Sequence, residues 1–273
     1  MPSELVLAQT KNRVHTLTMN HARRLNGWTM AMMQTLFDAI DRAASDDEVC
    51  ALVLTGTGDY YSAGVNLSAT IKLGHPRALR EQIRTQNQML FDIFIDFPKP
   101  ILVAFNGHAI GATVTSSTLC DAAIAADEAT FSTPFARLGV TPEGCSSEHL
   151  PKLIGAGPAA RMLGAEGWKP TAKEALEIGF IDEVVARVAL AERAQALAEA
   201  WVESGKERGF RAGATAEWLK QVNARESAEL ADAFLAAPFL MGQARFLWSR
   251  KKYAPALTFF GLRATRPAWA RLL

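Results

Sequence analysis

The sequence predicts an α/β fold of strands joined by helical crossovers, followed by an all-helical C-terminal region. Three observations lead there. Short β-rich or apolar runs alternate with helix-period stretches through Val185. Most of these runs are closed by Gly, Asn or Pro, which punctuate elements and enforce turns. After Ala186 helix formers dominate and no further strand-like run occurs.

The elements follow in order. Residues 5–10 and 14–19 are β-rich and flank the turn pair Lys11-Asn12, so a hairpin opens the chain. Trp28, Met32, Leu36, Phe37 and Ile40 recur at helical spacing within residues 28–44, and Asn26, before Gly27, is the expected N-cap. Residues 50–54 are a short apolar run ended by Thr55-Gly-Thr-Gly58, a buried strand and a loop. His75-Pro76 and the polar run to Glu81 read as a flexible flap. Leu79, Ile83, Leu90, Ile93 and Phe97 mark a helix stopped by Pro98 and Pro100. Ile101–Phe105 is another buried strand, residues 111–119 a helix of small side chains, and residues 121–126 a strand again. Thr171-Ala-Lys-Glu174 is a capping box opening a helix that ends near Gly179, and residues 181–185 form the last strand.

The tail poses a choice. Residues 189–204 and 215–253 read as helix around a polar break at 205–213. Phe234, Leu235, Phe239, Leu240, Phe246 and Trp248 cluster where no strand is left to cover them. Either these helices dock on another subunit, or they fold back on their own core. The chain therefore divides into a core at 1–188, which holds the site, and a helical oligomerisation region at 189–273.

Composition excludes several function classes. A chain of 273 residues that is 49% hydrophobic can bury a large core. A formal net charge of +1 provides no basic field for nucleic acid, and no apolar run is long enough to span a bilayer, so no membrane partner is expected. Cys50, Cys120 and Cys145 form no CxxC pair, which fits a reducing compartment. The histidines lack HxH or HExxH spacing, so no metal is expected. The first residues lack the pattern of a signal peptide and the last ones are not Ser-Lys-Leu; the expected location is cytoplasmic.

The residues with chemistry sit at two glycine-bearing turns and one acid. In Asn106-Gly-His-Ala-Ile-Gly-Ala112 a buried strand gives way to a helix start, whose free N–H groups suit a developing oxyanion. In Tyr61-Ser-Ala-Gly-Val-Asn-Leu67, Gly64 permits a sharp bend that frees the next amide. Each turn alone is a common structural device. Glu143, in Thr141-Pro-Glu-Gly-Cys-Ser-Ser147, follows them. One carboxylate beside such turns suits moving a proton better than activating a water, although an acid between Pro and Gly also fits an ordinary surface turn. Glu148 is a possible second acid or a partner of a helix dipole, His149 a possible orienter of Glu143, and Cys145 lacks a basic partner.

Four passages together resemble the crotonase (enoyl-CoA hydratase/isomerase) superfamily. They are Ser62-Ala-Gly-Val-Asn-Leu67, Lys99-Pro-Ile-Leu-Val-Ala-Phe-Asn-Gly-His-Ala-Ile-Gly111, Cys120-Asp-Ala-Ala-Ile-Ala-Ala126, and the run from Thr171 to Val185. Ile95-Asp-Phe-Pro-Lys-Pro100, Ala129-Thr-Phe-Ser-Thr-Pro-Phe-Ala-Arg-Leu-Gly139 and Pro142-Glu-Gly-Cys-Ser-Ser147 are similar to its monofunctional peroxisomal-type Δ3,Δ2-enoyl-CoA isomerases.

The resemblance implies an α/β spiral of ββα turns, a helical region that trimerises, and a CoA thioester substrate. Coenzyme A is then part of the substrate, and no separate cofactor is expected. The amides of Val65 and Ala112 would form the oxyanion hole. Ala63, Gly64, Leu67, Gly111, Phe135 and Leu138 would line the acyl site, and Arg23 and Arg24 would approach the nucleotide end. Lys72, Lys251 and Lys252 are further candidates for the CoA phosphates, and every one of these cations also fits a solvated surface. Asn66 stands where relatives carry Asp, and Ala112 and Thr113 where many carry glycines. By motif position the two glutamates of hydratases fall on Thr115 and Phe135, neither of which is an acid. Glu143 falls where the isomerases keep their catalytic glutamate. The expected activity is a 3-enoyl to 2-enoyl shift on an acyl-CoA in a homotrimer or dimer of trimers, with an enoyl-CoA hydratase or another crotonase-type lyase as the alternative.

Overall fold

Apolar runs bounded by turns assemble here into a sheet buried on both faces. The structure is a computed structural model and describes residues 4–65 and 74–273. Its strands are β1 Val6–Lys11, β2 Val14–Met19, β3 Ala51–Gly56, β4 Tyr60–Ser62, β5 Ile101–Phe105, β6 His108–Ile110, β7 Ala122–Ala126, β8 Phe131–Ser132 and β9 Glu183–Val185. β1 and β2 form the expected antiparallel hairpin, turning through Asn12 and Arg13 at φ 51° and 65°. The large sheet runs β1-β2-β3-β5-β7-β9, parallel from β2 onward.

Alternate side chains of this sheet feed two cores. Leu52, Leu54, Ile101, Val103 and Phe105 face one, and Ala51, Val53, Leu102, Ala104 and Ile124 face the other. That is why these runs read as continuously apolar rather than alternating.

A second, three-stranded parallel sheet, β4-β6-β8, lies beyond it. The sequence reading did not locate these strands, which are three residues or fewer and carry no measurable period. Each follows a long strand after a short turn. Strand pairs β3-β4, β5-β6 and β7-β8 each lead into a helix, which is the ββα spiral.

The helices are α1 Met30–Ser45, α2 Pro76–Asp96, α3 Ala112–Thr115, α4 Phe135–Leu138, α5 His149–Ile154, α6 Ala156–Leu163, α7 Ala172–Glu177, α8 Leu190–Ser204, α9 Ala216–Phe234, α10 Ala237–Ser249 and α11 Tyr253–Trp269. None of those described is long and apolar enough to cross a membrane. The capping box at α7 forms as expected.

Three expectations need correction. The cap of α1 is Thr29, whose side chain accepts from Met32 N at 3.2 Å. Asn26 is instead buried, at φ 48°; its amide donates to the carbonyls of Thr57 and Tyr60 and its Oδ1 accepts from His21 N. It staples three segments together. Residues 76–81 are not a flap: Pro76 sets φ for the first turn of α2, and Arg80 pairs with Asp232 of α9. Residues 111–119 are a single α-turn, α3, continued by a 3₁₀ turn at Ser116–Leu119.

Much of the tail folds back on its own chain. Leu190, Ala194 and Ala198 of α8 cover the outer face of the large sheet. Phe234, Leu235, Phe239 and Leu240 are buried with Leu79 and Ile83 of α2. Phe246 and Trp248 remain exposed, beside Tyr253 and Leu257. The polar break at 205–213 is fastened by Arg208, which pairs at 2.6 Å with Asp121, itself 1% exposed, and donates to the carbonyls of Phe94 and Leu119. Asp121 also takes the amides of Ile101 and Gly209, so the segment between α8 and α9 is tied to the start of β5 and β7.

Candidate active site

The two glycine turns meet backbone to backbone. Gly64 has φ 80°, and a Cβ there would overlap the carbonyl oxygen of Ile110. Absence of a side chain therefore lets the first turn lie directly on the second. The hydroxyl of Ser62 fixes the approach: it donates to Asn26 O at 2.8 Å and accepts from Gly64 N at 3.1 Å. Thr113 Oγ1 secures the other side, lying 3.0 Å from Ile110 O and 3.4 Å from Ser62 O. Gly111, at φ 65° and ψ −129°, turns β6 into α3 through a backbone region open essentially to glycine. Ala112 is then the first residue of a helix, where an N–H has no intrahelical acceptor. Neither Val65 N nor Ala112 N has a backbone partner among the described residues.

Glu143 stands on the wall of the space in front of these amides. A cavity of about 80 Å³ is lined by Ala63, Gly64, Val65, Gly111, Ala112 and Glu143, with Phe135, Leu138, Leu230 and Phe234 closing it. A larger chamber of about 340 Å³ shares Val65, Glu143, Leu230 and Phe234 and is lined mainly by apolar side chains, among them Met30, Met33, Phe37, Ile83, Met89 and Leu90. Among the residues lining either space Glu143 is the sole carboxylate. Its loop is set by two consecutive left-handed residues, Gly144 at φ 69° and Cys145 at φ 64°. A Cβ on Gly144 would come within 2.5 Å of Phe91 Cε1 and 2.7 Å of Thr115 Oγ1. The loop thus presses onto α2 and the end of α3, and Glu143 is carried to the cavity.

The carboxylate is gripped and kept basic. Asn87 Nδ2 of α2 donates to Glu143 Oε2 at 2.6 Å, and Ser227 Oγ of α9 donates to Asn87 Oδ1 at 2.9 Å, fixing which way that amide points. Burial pushes the Glu143 carboxyl up to about 7; the Asn87 hydrogen bond opposes this and the charge of Glu226 adds to it. Glu226, buried on α9, is likewise held up at about 7 by burial. A carboxyl at that level exchanges its proton near neutral pH, which general base and general acid steps require.

The remaining sequence candidates sort plainly. Ala63, Gly64, Val65, Gly111, Ala112, Phe135, Leu138 and Glu143 come together. Arg23 and Arg24 do not line either space: they are exposed in a 3₁₀ turn, and it is the following residues that reach the site segment, Leu25 through its carbonyl to Ala63 N and Trp28 through its amide to Gly64 O. Leu67, Asn66 and Lys72 lie outside the described residues. Lys251 and Lys252 are exposed between α10 and α11. Glu148 occupies the N-cap position of α5, where its charge faces the positive end of the helix dipole; it makes no side-chain cap bond and pairs with Arg225 at 2.6 Å. His149 makes no hydrogen bond to Glu143 among the described residues; it is buried with Nε2 2.9 Å from Thr118 O, and burial lowers its proton affinity. The Cys145 thiol donates to Leu219 O, and burial raises its pKa, which suits a structural thiol. Sequence reasoning missed Asn87, Glu226, Leu230 and Phe234. A signal existed for the first two: each is a polar residue on the buried face of its helix, Asn87 between Ile83 and Leu90, Glu226 between Val222 and Leu230.

Residues 9–235 match the model of the enoyl-CoA hydratase/isomerase family, and the chain belongs to that family. It is 39% identical to enoyl-CoA delta isomerase 2 of Rattus norvegicus, over 67% of this chain and 46% of that protein. It is 37% identical to the peroxisomal enoyl-CoA delta isomerase 3 of Mus musculus, over 67% of this chain and 57% of that one. The aligned region thus spans about half the length of these two isomerases. Its fold matches the crystal structure of an enoyl-CoA hydratase/isomerase from Pseudoalteromonas atlantica T6c at a TM-score of 0.76 and 28% identity, over 90% of this chain and 98% of that one.

Proposed function

We propose that this protein is an enoyl-CoA isomerase that moves a 3-enoyl double bond to the 2-position. The observation that supports this most is the lone carboxylate, Glu143, in a cavity it shares with the amides of Val65 and Ala112. By the motif positions of the family, Thr115 and Phe135 fall where its hydratases carry their two glutamates, and neither is an acid. Glu143 takes the C2 proton, and the electron pair of that bond moves to the thioester oxygen, which the two amides hold as an enolate. When the carbonyl re-forms, the electrons shift the double bond to C2–C3, and C4 takes the proton from Glu143. The charge balances with no water consumed.

The apolar chamber suits an acyl tail, and Arg23 and Arg24 offer charge outside it for the CoA phosphates. The exposed Phe246, Trp248, Tyr253 and Leu257 suit contact with further copies in a trimer or dimer of trimers. Against the expected cytoplasmic location, one relative is named as peroxisomal; cell fractionation decides. Glu143→Gln assayed with a 3-enoyl-CoA should lose about 10²–10⁴-fold in kcat. Full turnover by that variant removes Glu143 from the role. Water addition to a 2-enoyl-CoA at a rate matching isomerisation would favour the hydratase reading.

A further inference from the structure

Glu226 is a buried acid that the proposed reaction does not use. Its Oε1 accepts from both donors of Ser147, the amide at 2.8 Å and the hydroxyl at 2.5 Å. Ser146, the preceding residue, donates its hydroxyl to the carbonyl of Glu143 at 2.7 Å. A continuous run of contacts thus leads from α9 to the backbone of the candidate base. Glu226 Oε2 is buried with no hydrogen-bond partner among the described residues. An ionised carboxylate with one oxygen left unpartnered in a dry setting is costly, so burial raises the proton affinity of this side chain.

We propose that Glu226 is a positioning residue for the base: through Ser147 it fixes the loop that carries Glu143, and it places a second buried carboxyl behind it. The proposal rests on Glu143 being the base. The groups that act on Glu143 are Asn87 from α2, which is neutral, and Glu226 from α9. Those that act on Glu226 are Ser147 and the Cys145 backbone from the loop, and Arg225 from its own helix, whose guanidinium is engaged by Glu148. Whichever carboxyl ionises first makes the other harder to ionise, so each sets the basicity of its neighbour.

Glu226→Gln keeps an acceptor for Ser147 and removes the charge. Protein carrying ¹³C-labelled glutamate is titrated by NMR, with Glu143 assigned from the Glu143→Gln spectrum, and kcat is followed against pH with a 3-enoyl-CoA. In Glu226→Gln the Glu143 midpoint should fall by about one pH unit, and the acid limb of kcat should move with it. Glu226→Ala, which also frees Ser147, should further lower kcat by about tenfold with KM little changed. A folded Glu226→Gln protein whose Glu143 titrates as in the wild type overturns the proposal. Full activity in Glu143→Gln would instead defeat the base assignment, while the NMR titration still decides whether the two carboxyls are coupled.

Discussion

The side-chain amide of Asn87, on α2, reaches across to the carboxylate of Glu143 and binds Oε2 at 2.6 Å. A donor aimed at the charged form favours ionisation, so it restrains the upward push of burial. Asn87→Ala should raise the Glu143 midpoint above about 7. Turnover at pH 7 should fall about tenfold, since a hydrogen bond to a charged group contributes about 1.5–3 kcal/mol, and should partly recover by about pH 9. A kcat profile with an unmoved acid limb would contradict this.

Gly64→Ala tests the approach of the two turns. The new methyl meets the Ile110 carbonyl, at a φ of 80° that an L side chain rarely takes. The turn must withdraw, taking the Val65 amide away from Ala112. Loss of one such donor costs about 10²–10³ in kcat, with stability lower by about 1–3 kcal/mol. Thermal unfolding measured alongside initial rates separates the two effects.

The raised carboxyl of Glu143 also sets how stability depends on pH. Its folded value of about 7 lies above the ordinary 4.5, so between those values the folded protein binds more protons than the unfolded one. Stability is then full below about pH 4.5 and declines as pH rises to about 7. Glu143→Gln should gain on the order of 3 kcal/mol at pH 8 and nothing near pH 4. Urea unfolding of both proteins at the two pH values is the check, and an equal difference at both would refute it.

Arg208 and Asp121 form a buried pair that ties the 205–213 segment to the sheet. Arg208→Ala removes the cation paired with the buried Asp121 side chain, and should cost about 3–5 kcal/mol. Adding Asp121→Ala should cost less than the sum of the single changes. Chemical denaturation of the four proteins of that cycle gives the coupling.

Legibility in the sequence followed element length and the kind of atom involved. The long strands were readable as apolar runs of five or more residues, and α2 by its helical period. β4, β6 and β8 offer too few residues to do so, and only the family likeness pointed to them. The two turns at Gly64 and Gly111 were readable because glycine marks unusual backbone. Asn26 misled, since an Asn before a helix fits a cap and its actual role, joining segments from Thr57 and Tyr60, depends on contacts distant in sequence. Asn87 and Glu226 belong to helices that meet only in three dimensions, so their joint relation to Glu143 had no local trace beyond a polar break in an apolar stripe.

Thr115, Phe135 and Glu143 come from separate stretches of chain yet surround one small spot: Phe135 and Glu143 line the same cavity, and Thr115 lies under Gly144. On the proposed function, which of these three neighbouring positions carries the acid would decide the direction from which a proton reaches the substrate, while the backbone turns at Gly64 and Gly111 stay as they are.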